Sequence, residues 1–166
     1  MTMLAEVRAP RRAGEGDFDF FMGRWAVRHR RLTQRLAGCD SWEEFEGTVV
    51  ARPVWGGQAN IDELEADTPS GPLRGLTLRI FEPASGQWRL YWANGAKGIL
   101  DQPMVGAFEE GRGEFFSHEL FEGKGVLVRY LWSGITQTTC HWEQAFSPDG
   151  GRTWETNWVM DFARLA

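Results

Sequence analysis

Apolar and polar residues alternate along most of this chain, in short runs separated by turn-forming residues. In LRGLTLRIF, residues 73–81, Leu76, Leu78 and Ile80 interleave with Gly75, Thr77 and Arg79. A period of two is that of a strand whose faces meet different surroundings. Comparable runs predict further strands at 25–36, 42–54, 59–66, 87–93, 104–108, 113–121, 125–133, 138–146 and 153–162. DTPSGP at 67–72 and PASG at 83–86 are strong turn signals, and 94–103 reads as a loop. Ten short strands at regular spacing, with no long amphipathic helix, point to an all-β barrel or sandwich.

Several strands mix apolar and polar residues on both faces, as in VLVRYLW at 126–132. A sandwich requires one apolar face per strand, whereas a barrel holding a ligand tolerates a mixed interior. The expected fold is therefore a ten-stranded up-and-down barrel. Asp17 is placed to cap a short helix over 18–22, stopped by Gly23 and closing one end of the core. Residues 1–16 lack periodicity and are expected to form a flexible tail, leaving 17–166 as a single barrel domain.

Composition narrows the function. The 166 residues are 42% hydrophobic and 25% charged, as in ordinary globular proteins, but include nine Trp and eleven Phe against two Tyr. A net charge of -5 argues against nucleic acid as partner. Arg24, Arg28, Arg30, Arg31 and Arg35 form a basic run, read as a solvated strand face. Glu43, Glu44, Glu46, Asp62, Glu63 and Glu65 form an acidic block that blunts strand edges and binds no metal. No apolar run approaches the ~20 residues of a membrane span, and no secretory apolar segment opens the chain, so a cytoplasmic location is expected. Two cysteines, Cys39 and Cys140, make no disulfide framework. Phosphate-loop, zinc-protease, Rossmann and serine-elbow motifs are absent from the sequence, and no cofactor is called for.

The chemistry-bearing residues concentrate in 138–164, TTCHWEQAFSPDGGRTWETNWVMDFAR. If its turn sets the pairing, Gln144 faces Glu155 and Trp142 faces Asn157, with all four on one face and Arg129 within reach. With Tyr91 and Trp158, these are the expected pocket residues for a small apolar or aromatic ligand, the leading reading. The rival is a cofactor-independent isomerase or cyclase using Glu155, Arg129 or Glu143 as acid, base or oxyanion stabiliser. Inert ion pairs between Arg129 and Glu143 or Glu155 are the plainer alternative. A third reading is haem, for which His141 is the best-placed of His29, His118 and His141. The expected partner is a small molecule, with a second copy of the chain as the other candidate.

Three resemblances sharpen this. SPDGGRTW at 147–154 resembles an Asp-box hairpin, implying a turn built around Asp149. Gly23-x-Trp25, taken with Arg164, is similar to the calycin signature, implying a late cation lying across an early Trp at the closed end of a barrel. WEEFEG at 42–47, LRIFEPASGQW at 78–88 and HWEQAFSPDGGRTWETNWVMDFAR at 141–164 together resemble a bacterial family of uncharacterised calycin-like barrels, of lipocalin, fatty-acid-binding and nitrobindin type. The resemblance covers most of the chain beyond residue 17 and implies the fold with no activity. His141 stands where that pattern has Arg.

Overall fold

The computed structural model describes residues 10–166. Its strands are β1 (Gly23–Leu32), β2 (Trp42–Val54), β3 (Ala59–Thr68), β4 (Gly71–Glu82), β5 (Gln87–Asn94), β6 (Met104–Glu109), β7 (Arg112–Phe121), β8 (Lys124–Ser133), β9 (Thr139–Ser147) and β10 (Glu155–Arg164). Each pairs antiparallel with its sequence neighbour, and β1 pairs with β10 to close the barrel. Closure removes the free edges that an open sheet would present to other chains. The expected ten-stranded all-β barrel is what the chain adopts.

The helix expected over 18–22 is a single 3-10 turn, Asp19–Phe21. Asp17 does not cap it: Phe18 occupies the cap position, with no side-chain hydrogen bond there. Of the expected tail, residues 1–9 lie outside the described residues. Those at 13–18 form turns against the barrel, where the Gly14 carbonyl accepts a hydrogen bond from the Trp88 indole at 3.0 Å.

Phe18 and Phe21 plug one end. Phe18 meets Trp88, Phe108 and Trp132 edge-on at 4.9–5.8 Å, the separations and tilts that aromatic quadrupoles favour. Phe21 stacks on Trp25 at 5.7 Å, and its carbonyl accepts the Trp25 indole N–H at 2.9 Å. Arg164 lies across the other part of this plug, 4.2 Å from the Trp25 ring, as the signature residues imply. Its guanidinium also donates to the carbonyls of Phe20, Met22 and Gln137. Gly23 is required here, because a side chain at its positive φ of 120° would meet Arg164 at 2.8 Å.

The hairpin between β9 and β10 is held as its turn chemistry implies. Asp149 accepts from the Thr153 backbone N–H at 2.9 Å and the Thr153 hydroxyl at 2.6 Å. Gly150 and Gly151 carry positive φ, and the Gly151 N–H donates to Ser147 at 2.7 Å. With seven residues between the strands, pairing begins at Glu155 opposite Phe146. A bulge at Asn157 then moves Trp158 opposite Gln144 and Met160 opposite Trp142. The expected pairs, Gln144 with Glu155 and Trp142 with Asn157, do not form.

Candidate ligand-binding site

Inside the barrel lies a cavity of about 370 Å³. The aromatic plug forms its floor, and it opens at the other end between the β1–β2 loop, the β5–β6 loop and the end of β7. Four indoles line it, Trp132 at the floor and Trp92, Trp142 and Trp158 along the wall. Trp158 stands nearly perpendicular to both Trp92 and Trp142, with ring centroids at 6.2 and 5.9 Å. Tyr130 meets Trp142 edge-on at 4.9 Å. Trp92 has this position because Gly75, its diagonal neighbour on β4, has no side chain: a Cβ there would lie 1.9 Å from the indole. Leu64, Leu73, Leu90 and Met160 add to the apolar lining.

Two polar groups interrupt the wall. Gln144 Nε2 donates to Asn157 Oδ1 at 2.7 Å, a bond that the bulge makes by turning Asn157 inward beside Trp158. Asn157 is fully buried, and its own amide nitrogen has no protein partner among the described residues. Deeper, Arg79 Nη2 bonds Asp62 Oδ2 at 2.5 Å and Arg79 Nη1 donates to Asn60 at 3.0 Å. Burial pushes the Asp62 pKa up, while Arg79 and Thr77 pull it back. The Arg79 guanidinium sits 5.0–5.8 Å from the rings of Phe18, Phe21 and Trp132, joining the polar network to the plug.

The open end carries charge of both signs. Arg31, Arg35, Lys97, Asp101 and Glu119 all reach the cavity. Burial and then the neighbouring Asp101 raise the Glu119 pKa, against the opposing pull of Arg35 and Lys97. Tyr130 is pushed up by burial and by the same two acids.

The expected pocket residues divide cleanly. Trp142, Gln144 and Trp158 line the cavity, and Asn157 reaches it through Gln144. Tyr91 faces outward opposite Leu78. Arg129 also lies on the outer face, with its guanidinium 4.4 Å from the Trp154 ring. Glu143 bonds His141 there at 3.1 Å. Glu155 is at the rim, where its carboxylate accepts the Leu36 N–H at 2.7 Å. None of the three candidate acid–base residues forms part of the cavity wall.

The histidines divide in the same way. His141 is on the outside, between Asp161 at 2.7 Å and Glu143. Partial burial lowers its pKa, but the hydrogen bonds to these carboxylates outweigh that and hold it above the ordinary value. Both ring nitrogens are engaged, so His141 offers no axial ligand to the interior. The inward histidine is His29, stacked on Phe45 at 4.5 Å and accepting the Trp158 indole N–H at 3.2 Å. Burial, reinforced by the Arg31 charge, draws its pKa down to about 4.

Strand parity marks two further interior residues, Arg31 on β1 and Asp62 on β3. Arg31 and Arg35 were grouped with Arg24, Arg28 and Arg30, yet only the first two reach the interior. Asp62 was grouped with surface acids, and its inward phase, shared with Leu64, sets it apart from Glu63 and Glu65.

Fold and site together define a closed, ten-stranded antiparallel barrel with an aromatic interior. No protein-family model matches the sequence, and no curated protein does. Among solved structures, the S-type phycobiliprotein lyase CPES from Guillardia theta superposes with a TM-score of 0.58, at 11% identity over 92% of each chain. The barrel EF1p2_mFAP2b bound to DFHBI gives 0.50 at 9% identity, over 92% of this chain and 99% of its own. At such identities the likeness is one of fold.

Proposed function

We propose that this protein is a soluble binding protein for a small, largely aromatic ligand enclosed by the barrel. The observation that carries the proposal is the cavity of about 370 Å³ walled by Trp92, Trp142 and Trp158, with Gln144, held by Asn157, as an orienting polar group. That volume falls among pockets that enclose small molecules, and aromatic side chains with placed polar groups are common in their walls. The small-molecule complex of the superposable barrel EF1p2_mFAP2b lends support. Charged residues on the outer faces of β1 to β3, among them Arg28, Glu46 and Glu63, favour water over lipid around the barrel. No helix among the described residues is long and apolar enough to cross a membrane.

Native mass spectrometry of the purified protein, with tryptophan-fluorescence titration against a panel of apolar aromatic compounds, tests this reading. Three indoles on the cavity wall make the emission a direct reporter, so a bound ligand shifts or quenches it saturably. Protein that emerges empty and ignores the whole panel would refute the proposal.

A further inference from the structure

Charges around the cavity fall into two groups, those with a partner and those without. Arg31 is paired with Glu43 at 2.6 Å and Arg79 with Asp62 at 2.5 Å. Arg35 has no ion-pair partner among the described residues. Of the acids near it, Glu155 is bonded to the Leu36 N–H, and Glu119 acts on it only through space. The Arg35 guanidinium lies instead over the Phe146 ring, 5.3 Å from its centroid, at the lip of the cavity. It is held there. Leu36 adopts a left-handed φ of 54°, unusual for a branched residue, and its N–H is fixed by Glu155 across the rim.

Two unpaired charges of opposite sign therefore sit half-buried at the lip, Arg35 and Glu119, with Lys97 and Asp101 beyond them. Their chemistry is not symmetrical. Glu119 can take up a proton, and burial beside Asp101 already favours that. A guanidinium cannot shed its charge, so a desolvated Arg35 requires a counter-ion. Burial and the nearby Arg31 lower the Arg35 pKa, which marks how poorly its charge is balanced by the protein alone.

We infer that Arg35 anchors an anionic group, a carboxylate or sulfonate, on a ligand whose aromatic rings fill the cavity. Lys97 supplies a second, more exposed cation, and Phe146 fixes the plane of the guanidinium fork. The inference rests on the binding function proposed above and adds a ligand class to it: aromatic acids, entered rings first.

A matched pair of fluorescent probes separates the two claims. 1-Anilinonaphthalene-8-sulfonate and N-phenyl-1-naphthylamine share their rings and differ by the sulfonate. At low ionic strength the sulfonate probe is expected to bind about tenfold more tightly and to displace the neutral one, consistent with one charge-assisted hydrogen-bonded contact. Arg35→Gln is expected to lower sulfonate affinity about tenfold and leave the neutral probe unchanged, with Arg35→Lys between. If the neutral probe binds but the sulfonate has no advantage, or Arg35→Gln leaves that advantage intact, the anion site is overturned and the cavity reading stands. If neither probe binds, both are overturned.

Discussion

At the closed end of the barrel, charge is spent on the protein itself. Arg164 bridges three backbone carbonyls and covers Trp25, while Arg79 is locked to Asp62 and Asn60 beneath the plug. At the open end, Arg35, Lys97, Asp101 and Glu119 face the cavity without an ion pair among the described residues. Leu120 beside them is 80% exposed. The cations of the closed end are partnered within the protein, although Arg79 Nε and the Trp132 indole N–H are not, whereas Arg35 and Lys97 at the open end have no ion pair among the described residues. Substitutions at the closed end should therefore cost stability, and those at the open end should cost binding.

The largest expected effect is at the plug. Trp25→Ala removes a fully buried indole and should cost about 3–5 kcal/mol in denaturant unfolding, whether or not ligand is present. Arg79→Met should cost a similar amount, roughly 3–5 kcal/mol, because it strands Asp62 in the interior. Adding Asp62→Leu to that variant should recover most of the loss. If the double variant is no more stable than the single one, the ion pair is not what makes the closed end costly to alter.

His29 provides a smaller, pH-dependent effect. Its folded pKa of about 4 lies below the unfolded value of 6.5, so the native state favours the neutral ring. The associated stability is fully present above pH 6.5 and is lost as pH falls towards 4, roughly 3 kcal/mol in all. His29→Gln should flatten unfolding free energy across that window. An unchanged pH slope would show that another group controls it.

The smallest effect belongs to the rim. Glu155→Gln weakens one charge-assisted bond to the Leu36 N–H and should cost about 1 kcal/mol of stability. Its larger consequence should be weaker binding of the sulfonate probe, because the loop that presents Arg35 loosens. A Glu155→Gln protein that binds the anion as wild type does would detach the latch from the site.

The contrast between the ends also explains what could be read from the chain. Strand number and the short element at the plug were legible because alternation and turn residues are local signals, and the Trp25–Arg164 contact was implied by the resemblance to the calycin signature. The interior was legible only in part. On β4 the regular apolar series Leu76, Leu78 and Ile80 faces outward, and the glycine, threonine and arginine between them face in. Arg79 was thus concealed by a pattern that normally marks the opposite face. On β10 the bulge at Asn157 shifted the pairing, which no turn motif could reveal. Glu155 pairs with Phe146 at the rim before the bulge, and beyond the bulge Trp158 takes the place opposite Gln144. Arg35 lies in a loop, where strand parity does not apply.

The proposed function requires that the space between Trp92, Trp142 and Trp158 receive an aromatic ligand. A crystal structure of the protein with N-phenyl-1-naphthylamine tests it most directly. The naphthyl ring is expected between these indoles, with the closed end unchanged. Probe bound on the outer face, or a cavity closed by rearranged indoles, would contradict it.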